Sequence, residues 1–237
     1  MAPNVGASNF TAVRAPAAQG LDVTAATITV TVGAASEQRT FYIHSGLACN
    51  HSKAIVKLYH KPGDEGRIIR LGEDDPEAFE MFARFLYSGK VHSRMEGDID
   101  SDQAEVYDNE WPRLTLGWRL GDRLQSPSFK DAVVDAVCEK MQNDRRYPVS
   151  LYQDIYPHTS AGAPLRRLIV DIAVWKWHAH NFRATEFHGS WNDFFRDLAV
   201  RQFEIGKEGR KDPAPFSTPN CIYHEHGDDY PCYRTMF

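Results

Sequence analysis

Two short stretches near the start of the chain alternate strictly between apolar and polar residues. The first covers residues 27–32 (TITVTV) and is followed by Gly33, and the second covers residues 41–44 (FYIH). A period of two places the apolar side chains on one face of a β-strand, and glycine permits the turn that follows. We therefore expect two half-buried strands, of which the second ends at His44.

The pattern then changes to the helical period of 3.6. A short helix is predicted to open at Gly46 and run toward Ser52, and a longer one to begin at Pro76 after an acidic turn. Ser126 and Pro127 predict the start of another helix, as its N-cap and first-turn residues. Apolar residues that recur every three or four positions give the two longer helices one buried face each. The predicted core positions are Ala78, Met81, Phe82, Phe85, Leu86, Phe129, Val133, Ala136, Val137 and Met141.

Two further helical patterns lie in the second half of the chain. One begins at Pro164, and the other at Ser190, which forms a sequence resembling a capping box with Asp193. Their apolar faces comprise Leu165, Leu168, Ile169 and Ile172 in the first helix, and Trp191, Phe194, Phe195 and Leu198 in the second. So much apolar area needs a partner surface, because burying one such side chain is worth about 1.5–3 kcal/mol. We expect one continuous core.

The overall composition is that of an ordinary globular protein. Hydrophobic residues make up 42% of the 237 residues and charged residues 25%, which argues against wholesale disorder. The net charge of −5 offers no general attraction to nucleic acid or to anionic lipid. No signal-peptide pattern or membrane-length apolar run is present. The four scattered cysteines suggest free thiols, so we expect an intracellular protein, in the cytoplasm or nucleus, with neither nucleic-acid nor membrane partners.

Changes in composition divide the chain into four parts. Residues 1–24 are rich in Ala, Pro, Gly, Asn and Ser and are predicted to be mobile. Residues 25–141 form a first unit, in which the run 96–110 holds seven acids and no base and predicts a solvated loop. Residues 142–203 are predicted to be a helical extension that packs on this unit, and residues 204–237 a proline-containing tail.

The order of features in the first unit resembles the BTB/POZ domain. The shared motifs are a Phe-x-x-His strand end at 41–44, the Leu-Ala helix at 47–48, an acidic-Pro turn at 73–76, and a helix that finishes in Leu-Tyr-x-Gly at 86–89. In the extension, residues 155–168, with the segments IYPHT and PLRRL, are similar to the extension of short fungal BTB proteins. The resemblance implies an α+β fold, in which a small sheet is flanked by a helical cluster and further C-terminal helices pack on it.

The resemblance also implies a non-catalytic protein-interaction module without a cofactor. BTB/POZ domains commonly self-associate through the first helix and edge strands, so a homodimer or a scaffold-bound protein is expected. Many bind a cullin scaffold, which makes a ubiquitin-ligase substrate adaptor one alternative. That alternative departs from the family pattern, because Val106-Tyr107-Asp108 carries Asp where a hydrophobic-x-Glu motif is usual. In addition, Lys53-Ala54-Ile55 stands where paired aromatics usually follow Ser52.

Two segments of the first unit raise the question of catalysis. Cys49 lies near His44 and His51 in sequence, which supplies a nucleophile and a base by residue type. No nucleophile elbow accompanies them, so we predict that Cys49 packs and that His44 packs and makes local hydrogen bonds. The residues between Gly117 and Gly121 are bulky, whereas a phosphate-binding loop needs glycines there so that the backbone can approach the phosphate. This segment is therefore predicted to be helical. We therefore expect no catalytic residues.

The tail contains a group of residues of metal-ligand type. Cys221, His224, His226 and Cys232 have the spacing C-x2-H-x-H-x5-C, and thiolates and imidazoles suit tetrahedral zinc. In an extended strand, residues two apart face the same way, so the two histidines could converge. A structural protein with a zinc-stabilised tail is therefore the second alternative function. The spacing matches no common zinc finger. The other interpretations are a packed or partner-binding tail, a disordered tail, and a disulfide between the two cysteines.

The remaining residues of the tail favour a docking role. Its prolines exclude a helix, so it should lie extended along the body or along a partner. Four aromatic residues surround the Cys/His group, namely Tyr223, Tyr230, Tyr233 and Phe237. On this interpretation, deletion of residues 212–237 would leave the first unit folded.

Overall fold

The alternating and helical stretches fold into a mixed α+β structure, as the sequence predicts. The computed structural model describes residues 20–60, 68–95, 108–147, 151–184, 191–210, 212–227 and 231–237. The strands are β1 (Thr27–Val32), β2 (Arg39–His44) and β3 (Ile68–Leu71). The helices are α1 (Ser45–His51), α2 (Lys53–Tyr59), α3 (Pro76–Ser88), α4 (Glu110–Arg123), α5 (Pro127–Asp144), α6 (Leu151–Ile155), α7 (Pro164–Lys176), α8 (Ala179–Ala184) and α9 (Trp191–Glu208). Single 3-10 turns lie at Tyr156–His158, Pro215–Ser217 and Tyr233–Thr235.

The three strands form one sheet in the order β2-β1-β3. β2 runs antiparallel to β1, with His44 opposite Thr27, whereas β3 runs parallel to it. The predicted alternation is confirmed, because Ile28, Val30 and Val32 are all fully buried on one face. Gly33 adopts a φ of 95°, and a Cβ placed there would lie 2.8 Å from the Cγ atom of a proline side chain in α3, so glycine is required at this turn.

Helix α3 follows the predicted boundaries closely. The Asp75 carboxylate accepts a hydrogen bond from the Ala78 N–H at 2.8 Å, and Pro76 occupies the first turn. Gly89 ends the helix in the left-handed conformation, with a φ of 66°. Each predicted core position of this helix is buried, and they pack beneath the sheet and against α4 and α5.

The segment from Gly117 to Gly121 lies inside α4, as predicted, and the structure explains its glycines. A Cβ on Gly117 would come within 2.7 Å of Met81 Cε, and one on Gly121 within 2.8 Å of Lys130 Cγ. Helix α4 therefore needs small residues to pack closely on α3 and α5. Ser126 stands at the N-cap of α5 as predicted, but its side chain makes no capping bond.

The last acids of the run at 96–110 do not lie in the solvated loop that was predicted for the whole run. Residues 96–107 lie outside the described part of the chain, but Glu110 begins α4 and is buried. Both carboxylates form ion pairs with Lys140 Nζ, from Asp108 Oδ2 at 2.8 Å and from Glu110 Oε2 at 2.9 Å. The buried lysine on α5 neutralises the charges of these two acids. A local charge pattern could not predict this partner, because it lies about thirty residues further along the chain.

The extension and the tail share the core of the first unit. Tyr152 of α6 stacks on Phe194 of α9 with ring centroids 5.0 Å apart, and α7 is buried along most of its length. Phe216 and Tyr223 of the tail belong to the same apolar cluster, whereas the sequence predicts a shared core for the first unit and the extension alone. Trp191 begins α9, whereas the predicted cap Ser190 lies outside the described residues, as do residues 1–19 of the segment predicted to be mobile. No helix in the described ranges is long and apolar enough to cross a membrane.

A first prediction concerns Phe85, which is fully buried between Phe129 and Phe237. Phe85→Ala should lower the free energy of unfolding by about 3–5 kcal/mol, because it removes a buried ring and leaves a cavity. Urea denaturation followed by circular dichroism measures this change. Phe203→Ala is the matched control, because Phe203 is 74% exposed on α9 and should change stability by only about 0.5 kcal/mol. Equal effects of the two substitutions would contradict the placement of α3.

Candidate metal centre and contact surface

The tail crosses helix α5 along a stripe of acidic side chains. Asp131 and Asp135 are four residues apart and therefore lie on the same side of the helix. The Glu225 backbone N–H donates to Asp131 Oδ1 at 2.7 Å, and the Tyr233 hydroxyl donates to Asp135 Oδ2 at 2.6 Å. The Arg234 guanidinium pairs with the same Asp135 oxygen at 2.6 Å. Both carboxylates thus receive hydrogen bonds from the tail.

A second anchor holds the tail on the extension. The Tyr223 hydroxyl donates to Asp171 Oδ2 on α7 at 2.6 Å, while Arg201 of α9 donates to Oδ1 of the same carboxylate at 2.7 Å. Tyr223 is buried, and its burial, followed by the neighbouring Asp171 charge, raises the pKa of its hydroxyl well above the ordinary value. The hydroxyl therefore stays protonated and remains a donor. Arg167 also donates to the Ile222 carbonyl at 2.8 Å.

Between these anchors, the four Cys and His residues of the tail converge. One donor atom from each of Cys221, His224, His226 and Cys232 can be chosen such that all four lie within 4.8 Å of one another. The two thiol sulfurs are 3.9 Å apart, and Cys232 Sγ lies 3.8 Å from His224 Nδ1. The convergence does not need the extended strand that we supposed, because a turn in which the His224 N–H donates to the Cys221 carbonyl at 3.0 Å begins the segment.

The hydrogen bonds of the two imidazoles leave one nitrogen of each ring facing the cluster. His224 Nε2 lies 3.1 Å from Asp135 Oδ1, so its Nδ1 is the nitrogen directed at Cys232. His226 Nδ1 lies 2.5 Å from the Gly227 carbonyl oxygen and must donate its proton there. The other ring nitrogen, Nε2, is buried without a hydrogen-bond partner.

The Asp135 carboxylate places negative charge beside the cluster. Burial raises the pKa of the Cys221 thiol, and the hydrogen bond to Cys232 raises it further. Burial opposes the charge on Asp135, but hydrogen bonds from His224 and Tyr233 outweigh it and lower the pKa of that carboxyl group. Cys138 does not belong to the group of converging ligands. Burial, followed by the Asp135 charge, raises the pKa of its thiol to about 12.

The other Cys and His residues do not assemble into a site in the part of the chain that the structure describes. Cys49 is half-buried in α1, and burial raises the pKa of its thiol. His44 Nδ1 lies 2.9 Å from the Tyr87 hydroxyl, which confirms its predicted local bond, and His51 Nδ1 lies 2.9 Å from Ser128 Oγ. No hydrogen bond joins Cys49 to either histidine there, so no nucleophile–base pair is formed. His178 and His180 stack on each other near α8, and no group of three or more metal-ligand residues includes them.

The sheet offers a second functional surface. Side chains of the face opposite the core include Thr29, Thr40 and Tyr42, and Tyr42 is 70% exposed. β2 lies at the edge of the sheet, with β1 on one side and no described strand on the other. An aromatic side chain on an open strand edge is typical of protein contact surfaces.

Two residues of the candidate metal centre escaped the sequence interpretation. Asp131 and Asp135 were overlooked because α5 was identified by its apolar face alone. The available signal was their i, i+4 spacing with no base three or four residues from either acid, since two acids on one helical face repel each other unless something pairs with them. The tail partners are about ninety residues away in sequence, beyond the reach of any local pattern.

The chain matches no family model and no curated protein. The similarity to BTB/POZ domains therefore depends on the motifs of the chain itself.

A second prediction concerns the anchor on Asp171. Tyr223→Phe should lower the free energy of unfolding by about 1–3 kcal/mol, because it leaves a buried carboxylate oxygen without its donor. Phe203→Leu changes an aromatic side chain at a position that is 74% exposed on α9 and should have almost no effect. Chemical denaturation of both variants provides the comparison. Indistinguishable stabilities would show that the tail is not anchored at Asp171.

Proposed function

We propose that this chain is a non-catalytic protein-interaction module of the BTB/POZ type that associates with a second copy of itself. The element order β1-β2-α1-α2-β3-α3 supports the fold assignment, because it follows the order of the motifs that resemble this family. The protein would act inside the cell, where its four free cysteines stay reduced. It would bind proteins and catalyse no reaction.

The exposed position of Tyr42 is the observation that supports self-association. Tyr42 is 70% exposed at the centre of an edge strand. Its ring contributes nothing to the core on the other face of the sheet, and burial of the ring against a partner would be favourable. Its own face carries threonines, with Thr29 directly opposite it on β1. Such a surface combines unpaired backbone groups, small polar side chains and one aromatic anchor, which suits strand-edge association of two identical sheets.

The cullin-adaptor alternative has no comparable support. In the motif closest to hydrophobic-x-Glu, Val106 and Tyr107 lie outside the described residues. Asp108, the acidic member, accepts an ion pair from the buried Lys140 and is itself mostly buried. A carboxylate that is mostly buried in an ion pair with an interior lysine is poorly placed to contact a scaffold protein.

A third prediction tests self-association. Light scattering coupled to gel filtration should give a dimer mass for the unmodified chain at micromolar concentration. Tyr42→Lys should weaken the dimer by about tenfold or more, because loss of a central interface aromatic costs about 2 kcal/mol or more.

Phe203→Lys is the matched control, since Phe203 is an equally exposed aromatic residue on α9. It should leave the dimer unchanged. A monomer at every concentration would refute self-association. Equal weakening by the two substitutions would refute the assignment of the surface to the sheet edge.

A further inference from the structure

We infer that Cys221, His224, His226 and Cys232 bind one Zn²⁺ ion as a structural centre that fastens the tail to helix α5. The inference rests on the geometry of these side chains and does not depend on the proposed interaction function. All four ligands lie between positions 221 and 232 of the sequence, and contacts with Asp135 of α5 help to hold them together.

Two of the distances between donor atoms are close to those of tetrahedral zinc coordination, and all four donor atoms lie within 4.8 Å of one another. Two sulfurs bound to a tetrahedral zinc ion at about 2.3 Å each are about 3.8 Å apart, and a sulfur and a nitrogen about 3.6 Å. The Cys221 and Cys232 sulfurs are 3.9 Å apart, and Cys232 Sγ lies 3.8 Å from His224 Nδ1. A disulfide needs a sulfur separation of about 2.05 Å, so the same two cysteines are arranged for a shared ion rather than for a bond to each other.

The two histidines present the correct nitrogens. A metal-binding imidazole uses an unprotonated nitrogen and donates the proton on the other one to a carboxylate or a carbonyl. His224 meets this requirement through Asp135, and His226 through the Gly227 carbonyl. The buried, unpartnered Nε2 atom of His226 is the independent sign of a ligand, because a buried nitrogen lone pair without a partner is costly.

The donor set selects zinc among the common cellular cations. Thiolates and imidazoles are poor ligands for Mg²⁺ and Ca²⁺, which prefer oxygen, and a Cys2His2 set is typical of closed structural zinc sites. On binding, the two thiols release their protons to solvent, and the two thiolate charges balance the charge of the ion. With four protein ligands the ion keeps no open position, so the centre is structural and not catalytic.

The position of the cluster indicates what the ion would stabilise. Tyr233 and Arg234, next to the ligand Cys232, hold Asp135 of α5. Beyond them the ring of Phe237 stacks on His51 of α1, with centroids 5.4 Å apart, and lies against Phe85 of α3. Zinc would therefore fix the C-terminus against the first unit as well as close the segment itself.

The test starts with the full chain, expressed in zinc-supplemented medium and purified with a reductant and without chelators. Mass spectrometry of the metal content should find about one zinc per chain, and cobalt in place of zinc should give the absorption of a tetrahedral thiolate complex. Less than about one tenth of an equivalent in folded protein, or a cobalt spectrum without thiolate bands, would overturn the proposal. In a second batch, purified without reductant, thiol alkylation in denaturant should label all four cysteines, whereas labelling of Cys49 and Cys138 alone would reveal a disulfide instead.

Variants then locate the ion. Cys232→Ser and His226→Ala should lose the zinc, while Cys49→Ser and His178→Ala, which lie outside the cluster, should keep it. Retention of zinc by both ligand variants would place the ion elsewhere and overturn the assignment. If the ligand variants fail to fold, Asp135→Asn keeps the four ligands and should weaken zinc binding by about tenfold to a hundredfold in competition with a chromophoric chelator. Unchanged affinity in that variant would contradict the role of His224 as a ligand.

Discussion

Helix α5 must bury charged groups, and the rest of the molecule is arranged around that constraint. One side of the helix packs Phe129, Val133 and Val137 into the core, while Asp131, only 1% exposed, lies on the other. An ionised side chain removed from water is costly unless it is paired and hydrogen-bonded. The tail supplies one partner to Asp131, the Glu225 amide, and three to Asp135, namely a tyrosine, an arginine and a histidine. Asp131 Oδ2 has no hydrogen-bond partner, and burial raises the pKa of that carboxyl group. The tail is therefore part of the folded core.

The same constraint explains why our expectation for a tail deletion reverses. Removal of residues 212–237 would take the side chains of Phe216 and Tyr223 out of the core. It would also deprive the two acids on α5 of their tail donors and leave Asp171 of α7 with the Arg201 donor alone. Removing one partner of a buried ionic interaction is far more destabilising than never having built it. We now expect the shortened chain to be strongly destabilised. The docking interpretation of the tail gives way to an anchoring role, in which its aromatic residues contact their own protein first.

Local patterns in the sequence predict what depends on neighbours along the chain. The strand at 27–32, the N-terminus of α3 at Asp75 and Pro76, and the helical Gly117–Gly121 segment all follow from periodicity and capping. Pairings between distant residues lie beyond such patterns: Lys140 with Asp108, and Asp135 with His224, are visible only when the helices are packed. The residue types of the candidate ligands are evident from the sequence of the tail. Their convergence, and the hydrogen bond that Asp135 accepts from His224, could not be predicted, because both depend on where α5 lies.

The most direct measurement of this account is hydrogen exchange of individual amides in the native full-length chain. The Glu225 amide, which donates to buried Asp131 at 2.7 Å, should exchange only through global unfolding. Its protection should therefore equal that of the central amides of α5 within about a factor of ten. Exchange of the Glu225 amide at the rate of an open loop, while α5 stays protected, would show that the tail is a detachable segment and would contradict the account.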